Sequence, residues 1–304
     1  MKGPVRRVLV IKLGGLSDFV MSFGAFSAIR RHHADAHVTL LTVKTFAELA
    51  RKSGWFDEVR EDGAPAWTRP GKVLKLIRRL RRGGFDLVYD LENTPRSARY
   101  RALSTALKWS PPTWSRGVDD GTREHVVERL ARQLAEAGVT EMPMPDLSWL
   151  IGGFGGRFGL KDGYVLIAPG GAKDEAGKRW PPDRYAELAR RVAIEGRRPV
   201  IIGTEADTEI ARVVAAASPD SMNLVGRTTL FDLATLAAHA KVAVGNDIGA
   251  MHLVAAVGCP SAVLFSAASD TALRAPRGRY VVMLRESNLA DLPVSEVAAA
   301  LRLR

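Results

Sequence analysis

The stretch Gly245-Asn246-Asp247-Ile248-Gly249-Ala250-Met251-His252 lies between two apolar runs, residues 241–244 and 253–257, the second of which stops at Gly258. The first run reads as a buried strand and the second as a helix closed by glycine. A strand, a turn of small residues and a helix start bring unpaired backbone N–H groups and the positive end of a helix dipole to one point. Such a point holds a phosphate-sized anion without needing a cationic side chain. Taken alone, the simpler reading is an ordinary βα turn with Asp247 capping the helix. A second glycine-rich turn, Lys12-Leu13-Gly14-Gly15-Leu16-Ser17-Asp18, follows an apolar run in the other half of the chain and shifts the balance toward a ligand site.

Outward from these two turns, strands and helices alternate along the whole chain. Residues 8–13, 38–42 and 87–91 are expected as strands, with helices near 19–32, 46–52, 73–82, 98–107 and 124–137. Residues 138–163 hold glycines and prolines with little periodicity and read as a linker with its flanks. The alternation then restarts: strands at 164–168, 199–202, 222–225, 241–244, 261–265 and 280–284, and helices at 183–195, 207–217, 230–239, 253–257 and 294–301. Two successive βαβ series predict an α/β protein of two Rossmann-like, doubly wound parallel-sheet domains, residues 1–150 and 151–304, facing across a cleft. Ligands are expected beyond the carboxyl ends of the strands.

The composition fits such a pair of domains. Of 304 residues, 46% are hydrophobic and 25% charged, the balance of a globular chain with ample core. No apolar run approaches the roughly 20 residues of a membrane span. The N-terminus leads directly into the first strand without the pattern of a secretory signal, and Cys259 is the single cysteine, which excludes an internal disulfide framework. A cytoplasmic location is the expectation. The net charge of +11 is unevenly spread: residues 1–160 carry 26 Lys and Arg against 17 Asp and Glu, residues 161–304 carry 18 against 16. Arg78, Arg79, Arg81 and Arg82 form one cluster; Arg96, Arg99 and Arg101 form another. The N-terminal half is therefore expected to meet an anionic partner or to present a solvated basic helix face. No nucleic-acid recognition motif accompanies the charge.

Each loop offers particular chemistry. The first turn lacks the G-x-G-x-x-G and P-loop spacings. It presents Ser17 and Asp18 at a helix start, where Asp18 is either a first-turn acid or a general base. The loop Ala168-Pro169-Gly170-Gly171-Ala172-Lys173-Asp174-Glu175-Ala176-Gly177-Lys178-Arg179 suits a diphosphate, with Lys178 able to offset the charge of a leaving phosphate. In the loop after residues 199–202, Glu205, Asp207 or Glu209 is placed to accept hydrogen bonds from a ribose, or to cap the next helix; the spacing does not choose among them. His252 either donates to a phosphate or packs in the core. Cys259 reads as a small buried hydrophobe. No metal-ligand spacing and no Gly-x-Ser-x-Gly elbow is present.

Together, residues 8–18 (VLVIKLGGLSD), 178–181 (KRWP) and 246–252 (NDIGAMH) resemble glycosyltransferase family 9, which contains the ADP-heptose:lipopolysaccharide heptosyltransferases. The resemblance implies a GT-B architecture, with the nucleotide-sugar donor in the C-terminal domain and the acceptor in the N-terminal one. It also implies inverting, metal-independent transfer of a heptose from ADP-heptose to a lipopolysaccharide inner-core acceptor. No cofactor is implied beyond that co-substrate. The partners would be the donor, an acidic glycolipid and the anionic cytoplasmic face of an inner membrane, with peripheral attachment there. By the same resemblance the catalytic aspartate falls on Asp18 and the donor-phosphate lysine on Lys178. The diphosphate loop falls on Asp247, Ile248, Gly249 and His252, with Ala250 and Met251 between them. Gly170, Gly171 and the acids at 205, 207 and 209 complete the expected donor side; Gly14, Gly15, Ser17, Asn93 and Arg96 form the expected acceptor side. Three positions depart from the family pattern: Ser17 replaces a glycine, Gly24 a proline and Ile248 a threonine. They leave open a family member using another nucleotide-sugar or acceptor, and a nucleotide-sugar-binding protein without turnover.

Overall fold

The computed structural model describes residues 4–63, 70–103, 108–110, 124–152, 157–171, 179–267 and 269–302. The chain divides into two compact units, Met1–Met144 and Pro145–Arg304.

The first unit runs β1 (Arg7–Ile11), α1 (Leu16–Met21), α2 (Phe23–His32), β2 (His37–Thr42), α3 (Lys44–Lys52), β3 (Glu58–Glu61), α4 (Pro70–Arg82), β4 (Leu87–Asp90), α5 (Pro95–Leu103) and α6 (Val126–Glu136). Its strands are parallel, in the order β3-β2-β1-β4, and Trp109 adds a parallel bridge to Val88. The central β1 is covered on both faces: Val8, Leu9, Val10 and Ile11 are fully buried, which explains its unbroken apolar run. By contrast β3, Glu-Val-Arg-Glu, is a half-buried edge strand whose alternating charges gave no strand signal. The helix expected from residue 19 starts earlier, at Leu16, and steps at Ser22, whose hydroxyl donates to the Asp18 carbonyl at 2.8 Å.

Gly24 sits on α2 where a Cβ would lie 1.9 Å from the Pro143 carbonyl oxygen. No side chain fits between helix and segment, so this structure has its own reason for a residue other than proline there. Gly24→Ala is expected to destabilise by about 1–3 kcal/mol, the cost of overpacking, read as a lower urea midpoint.

His33, at the C-terminus of α2, is hydrogen-bonded through Nε2 to the buried Tyr89 hydroxyl at 2.9 Å. Burial, then the neighbouring His32 and Arg30, push its imidazole down to about 4. The unfolded chain takes up this proton as pH falls through 6.5, whereas the folded chain resists it until about pH 4. Stability is therefore complete above pH 6.5 and falls by about 1–2 kcal/mol on acidification toward pH 4. His33→Gln should flatten the melting temperature over that window.

The second unit runs β5 (Val165–Ala168), α7 (Pro182–Ile194), β6 (Pro199–Ile201), α8 (Thr208–Ala216), β7 (Met222–Asn223), α9 (Leu230–His239), β8 (Val242–Asn246), α10 (Gly249–Val257), β9 (Ser261–Ser266), α11 (Thr271–Arg274), β10 (Val281–Glu286) and α12 (Val294–Arg302). All six strands are parallel, in the order β10-β9-β8-β5-β6-β7. Counted from β5, this is the Rossmann order, with the direction of winding reversing between β5 and β8. In the first unit the same reversal falls between β1 and β4. The two quoted glycine-rich turns follow β1 and β8, so each lies at the switch point of its own sheet.

Candidate functional site

At the first switch point the turn after β1 is held by a side chain from the turn after β4. Glu92 Oε2 accepts from the backbone N–H groups of Leu13, at 2.7 Å, and Gly14, at 2.8 Å. The ammonium of Lys12, which is 4% exposed, lies 3.7 Å from the same oxygen and donates to the Leu91 carbonyl at 3.0 Å. Beneath them the Asp90 carboxylate accepts from the N–H groups of Glu92 and Asn93. Burial pushes the Asp90 carboxyl up, against the pull of those hydrogen bonds.

Asp18 stands in the first turn of α1, above an N-cap, Gly15, that provides no side-chain cap. Its Oδ2 and the Glu92 Oε2 both close over Gly14, 3.1 and 3.4 Å from where a Cβ would stand. Two carboxylates thus meet at one glycine. Glu92 is engaged by two N–H groups and an ammonium; the Asp18 carboxylate has no hydrogen-bond or ionic partner among the described residues and is half-buried.

The remaining expected acceptor residues differ in what they have free. Gly15 is exposed and Ser17 half-buried beside Asp18. Asn93, the one non-glycine residue with positive φ among those described (50°), donates from Nδ2 to Gln133 at 3.0 Å. Arg96 pairs with the buried Asp62 at 2.7 Å and donates to the Tyr100 hydroxyl, which itself donates to Asp62. Asn93 Nδ2 and the Arg96 guanidinium thus help to hold the turns that follow β4 and β3.

The second switch point is organised by Asn246, the last residue of β8, which is 1% exposed. Its Nδ2 donates to the carbonyls of Pro169 and Gly170, at 3.1 and 2.9 Å. Its Oδ1 accepts from the Trp180 N–H at 3.1 Å and the Tyr185 hydroxyl at 2.9 Å. One amide therefore ties the loop after β5, the entry to α7 and the turn after β8 together. Beyond it, α10 starts at Gly249 behind an extended N-cap, Ile248, with no capping side chain. The capping role weighed for Asp247 is not what the structure shows: Asp247 Oδ1 lies 3.7 Å from Nε2 of the buried His252. Asp247, Ile248, Gly249 and Ala250 are partly exposed, so the first N–H groups of α10 face outward uncapped. Met251 is fully buried, its sulfur 2.9 Å from where a Gly245 Cβ would stand, and its N–H donates to the Ile248 carbonyl at 3.0 Å, so it offers a ligand nothing directly.

Of the three acids left open by the spacing, two are engaged internally. Asp207 closes a capping box with Thr204 and packs over Gly170, where a Cβ would lie 2.6 Å from its carboxyl. Glu209 pairs with Arg212 on the surface. Glu205 is exposed and has no side-chain hydrogen bond or ion pair among the described residues. Gly171 receives the Arg179 guanidinium on its carbonyl. Lys178 lies outside the described residues.

Three residues were missed by sequence reasoning as site candidates: Lys12, Glu92 and Asn246. Lys12 and Asn246 did carry a signal, since each is polar at the end of a buried apolar strand and so requires buried partners. Glu92 carried none, because its partners are 78 and 79 residues away. Cys259 is buried, and burial pushes its thiol up to about 12. Among the described residues no group of three or more His, Cys, Asp or Glu is placed to hold a metal, and no helix is long and apolar enough to cross a membrane.

Comparison with known proteins places these features in a family. The profile of glycosyltransferase family 9 (heptosyltransferase) matches residues 73–296. Lipopolysaccharide heptosyltransferase 2 of Escherichia coli (strain K12) is 36% identical over 104 residues, a match spanning 33% of this chain and 30% of that protein. Lipopolysaccharide heptosyltransferase 3 of the same strain is 25% identical over 306 residues, covering 91% and 87% of the two chains. The solved E. coli ADP-heptose lps heptosyltransferase II superposes with a TM-score of 0.81 over 98% of each chain, at 22% identity, and shares the GT-B fold.

Proposed function

The chain belongs to glycosyltransferase family 9, and from that premise we propose that it transfers a heptose or related sugar from ADP-heptose to a lipopolysaccharide inner-core acceptor, with inversion and without a metal. The observation that carries this reading is the uncapped start of α10, set against the Gly170–Gly171 loop by the four hydrogen bonds of Asn246. Main-chain N–H groups and a helix dipole at that point suit the diphosphate of a nucleotide-sugar. The second unit is accordingly the donor domain and the first the acceptor domain. Glu205, without a side-chain hydrogen bond or ion pair among the described residues, is the acid assigned to the ribose.

The reaction follows from these roles. An acceptor hydroxyl beside Asp18 gives its proton to that carboxylate as its oxygen bonds to the anomeric carbon from the face opposite the diphosphate. The bond between that carbon and the diphosphate oxygen breaks, and ADP leaves with the electron pair. The N–H groups of Gly249 and Ala250, together with Lys178, stabilise the charge gathering on it. Glu92 and Lys12 keep the Leu13–Gly14 main chain fixed so that Asp18 stands where the acceptor hydroxyl arrives. The excess of cations in the N-terminal half suits an acidic glycolipid on an anionic membrane surface.

The direct test is incubation with ADP-heptose and a heptose-deficient inner-core glycolipid in the presence of a chelator. Release of ADP with a product of inverted anomeric configuration by NMR supports the proposal. Release only from a different nucleotide-sugar, or binding of ADP-heptose without product, replaces it. Glu92→Ala isolates the positioning role. It strands two N–H groups and the buried Lys12 ammonium, an expected loss of about 3 kcal/mol of stability. Turnover should fall with it, while ADP affinity, a property of the other unit, stays near wild type in calorimetry.

A further inference from the structure

We propose that the outer face of α4 is a docking surface for an anionic phospholipid bilayer; the choice of a bilayer rests on the lipid-linked acceptor proposed above. The helix, Pro-Gly-Lys-Val-Leu-Lys-Leu-Ile-Arg-Arg-Leu-Arg-Arg, contains no acidic residue. Val73, Leu76, Ile77 and Leu80 are buried in the core of the first unit with Leu9, Ile11 and Val88 of the sheet. That packing turns Lys72, Lys75, Arg78, Arg79, Arg81 and Arg82 outward, and all six are exposed. None of them forms an ion pair among the described residues. Glu58, which feels the Arg79 charge, is itself bound to Arg60 at 2.7 Å.

Four of these cations, with Arg60 and Gly83, line an open groove of about 510 Å³. Two large apolar side chains stand beside the row of charges. Leu74 is 48% exposed one turn before Arg78, and Leu103 of α5 is 45% exposed where its carbonyl receives the Arg81 guanidinium. Cations interleaved with protruding leucines match a headgroup layer over acyl chains; a nucleic acid would use the charge and leave the leucines in water.

The place of the face in the fold is consistent with this use. Since β1 and β4 are parallel, Asp18 lies beyond their carboxyl ends, whereas Arg82 lies five residues before β4 begins. The helix therefore carries its densest charge toward the amino edge of the sheet, the edge opposite Asp18. Each cation near an anionic surface strengthens partitioning about fivefold, so the row acts collectively.

Sedimentation with vesicles tests the surface. The full chain should bind phosphatidylcholine vesicles only when phosphatidylglycerol is included, and molar salt should release it as the screening length shrinks to about 3 Å. The combined variant Lys75→Glu, Arg78→Glu, Arg79→Glu and Arg82→Glu should weaken binding by at least about a hundredfold. It should keep the wild-type circular dichroism spectrum and its activity on a soluble acceptor fragment. A variant with Arg78→Lys, Arg79→Lys and Arg82→Lys should keep most of the wild-type binding. Equal binding to neutral vesicles, or an undiminished charge-reversed variant, would overturn the proposal, as would binding of a fluorescent RNA in place of the vesicles. Asp18→Asn should bind vesicles as wild type does, which separates this test from that of the transfer chemistry.

Discussion

Asp18→Asn is expected to lower kcat by about two to four orders of magnitude, the usual contribution of a positioned general base. The substitution is nearly isosteric, and the Asp18 carboxylate has no internal partner among the described residues to lose, so little stability should go with it. The clamp around it, Glu92 on the Leu13 and Gly14 N–H groups, is untouched. ADP affinity, which the proposed function assigns to the second unit, should change by less than about twofold, so the loss lies in the transition state rather than in donor binding. Single-turnover kinetics with calorimetry of ADP checks both halves. Turnover near wild type would remove Asp18 from the base role; a parallel collapse of ADP binding would mean that the residue supports the fold instead.

The largest effect on stability is expected from Asn246→Ala. Removing the amide strands the Trp180 N–H, the Tyr185 hydroxyl and the Pro169 and Gly170 carbonyls inside the core. Each buried polar group left without a partner costs about 1–3 kcal/mol, and partial relaxation brings the total to about 3–5 kcal/mol. The Trp180 side chain, fully buried with Nε1 donating to the Leu292 carbonyl, limits how far the site can relax. Because the amide also spaces the loop after β5 from the start of α10, ADP affinity should fall at least about tenfold in the folded variant. Asn246→Asp should do no better, since it sets a carboxylate against two carbonyl oxygens it cannot donate to. Urea unfolding and calorimetry below the transition measure the two effects separately.

These two residues also mark how far the sequence was legible. β1, β5 and β8 announced themselves because strands buried on both faces are continuous apolar runs. β3 was invisible because an edge strand of Glu-Val-Arg-Glu has no apolar signature. Gly14, Gly15 and Asp18 stood out as a turn because turn chemistry is local. What holds that turn is not local: Glu92 reaches it across the switch point, and Asn246 does the same for the loop after β5. No spacing rule links such partners. The acids at 205, 207 and 209 were equivalent in one dimension; in three, the capping box takes Asp207 and an exposed arginine takes Glu209. Arg96, expected on the acceptor side, also pairs with Asp62, an acid beyond the reach of any helix-face pattern.

The central claim is that a nucleoside diphosphate sits at the β5–β8 switch point on main-chain N–H groups. Amide hydrogen exchange with and without ADP measures this directly. Protection is expected in peptides covering residues 168–171 and 247–252, with no change over residues 12–18. Protection confined to the first unit, or none at residues 247–252 under saturating ADP, would contradict it.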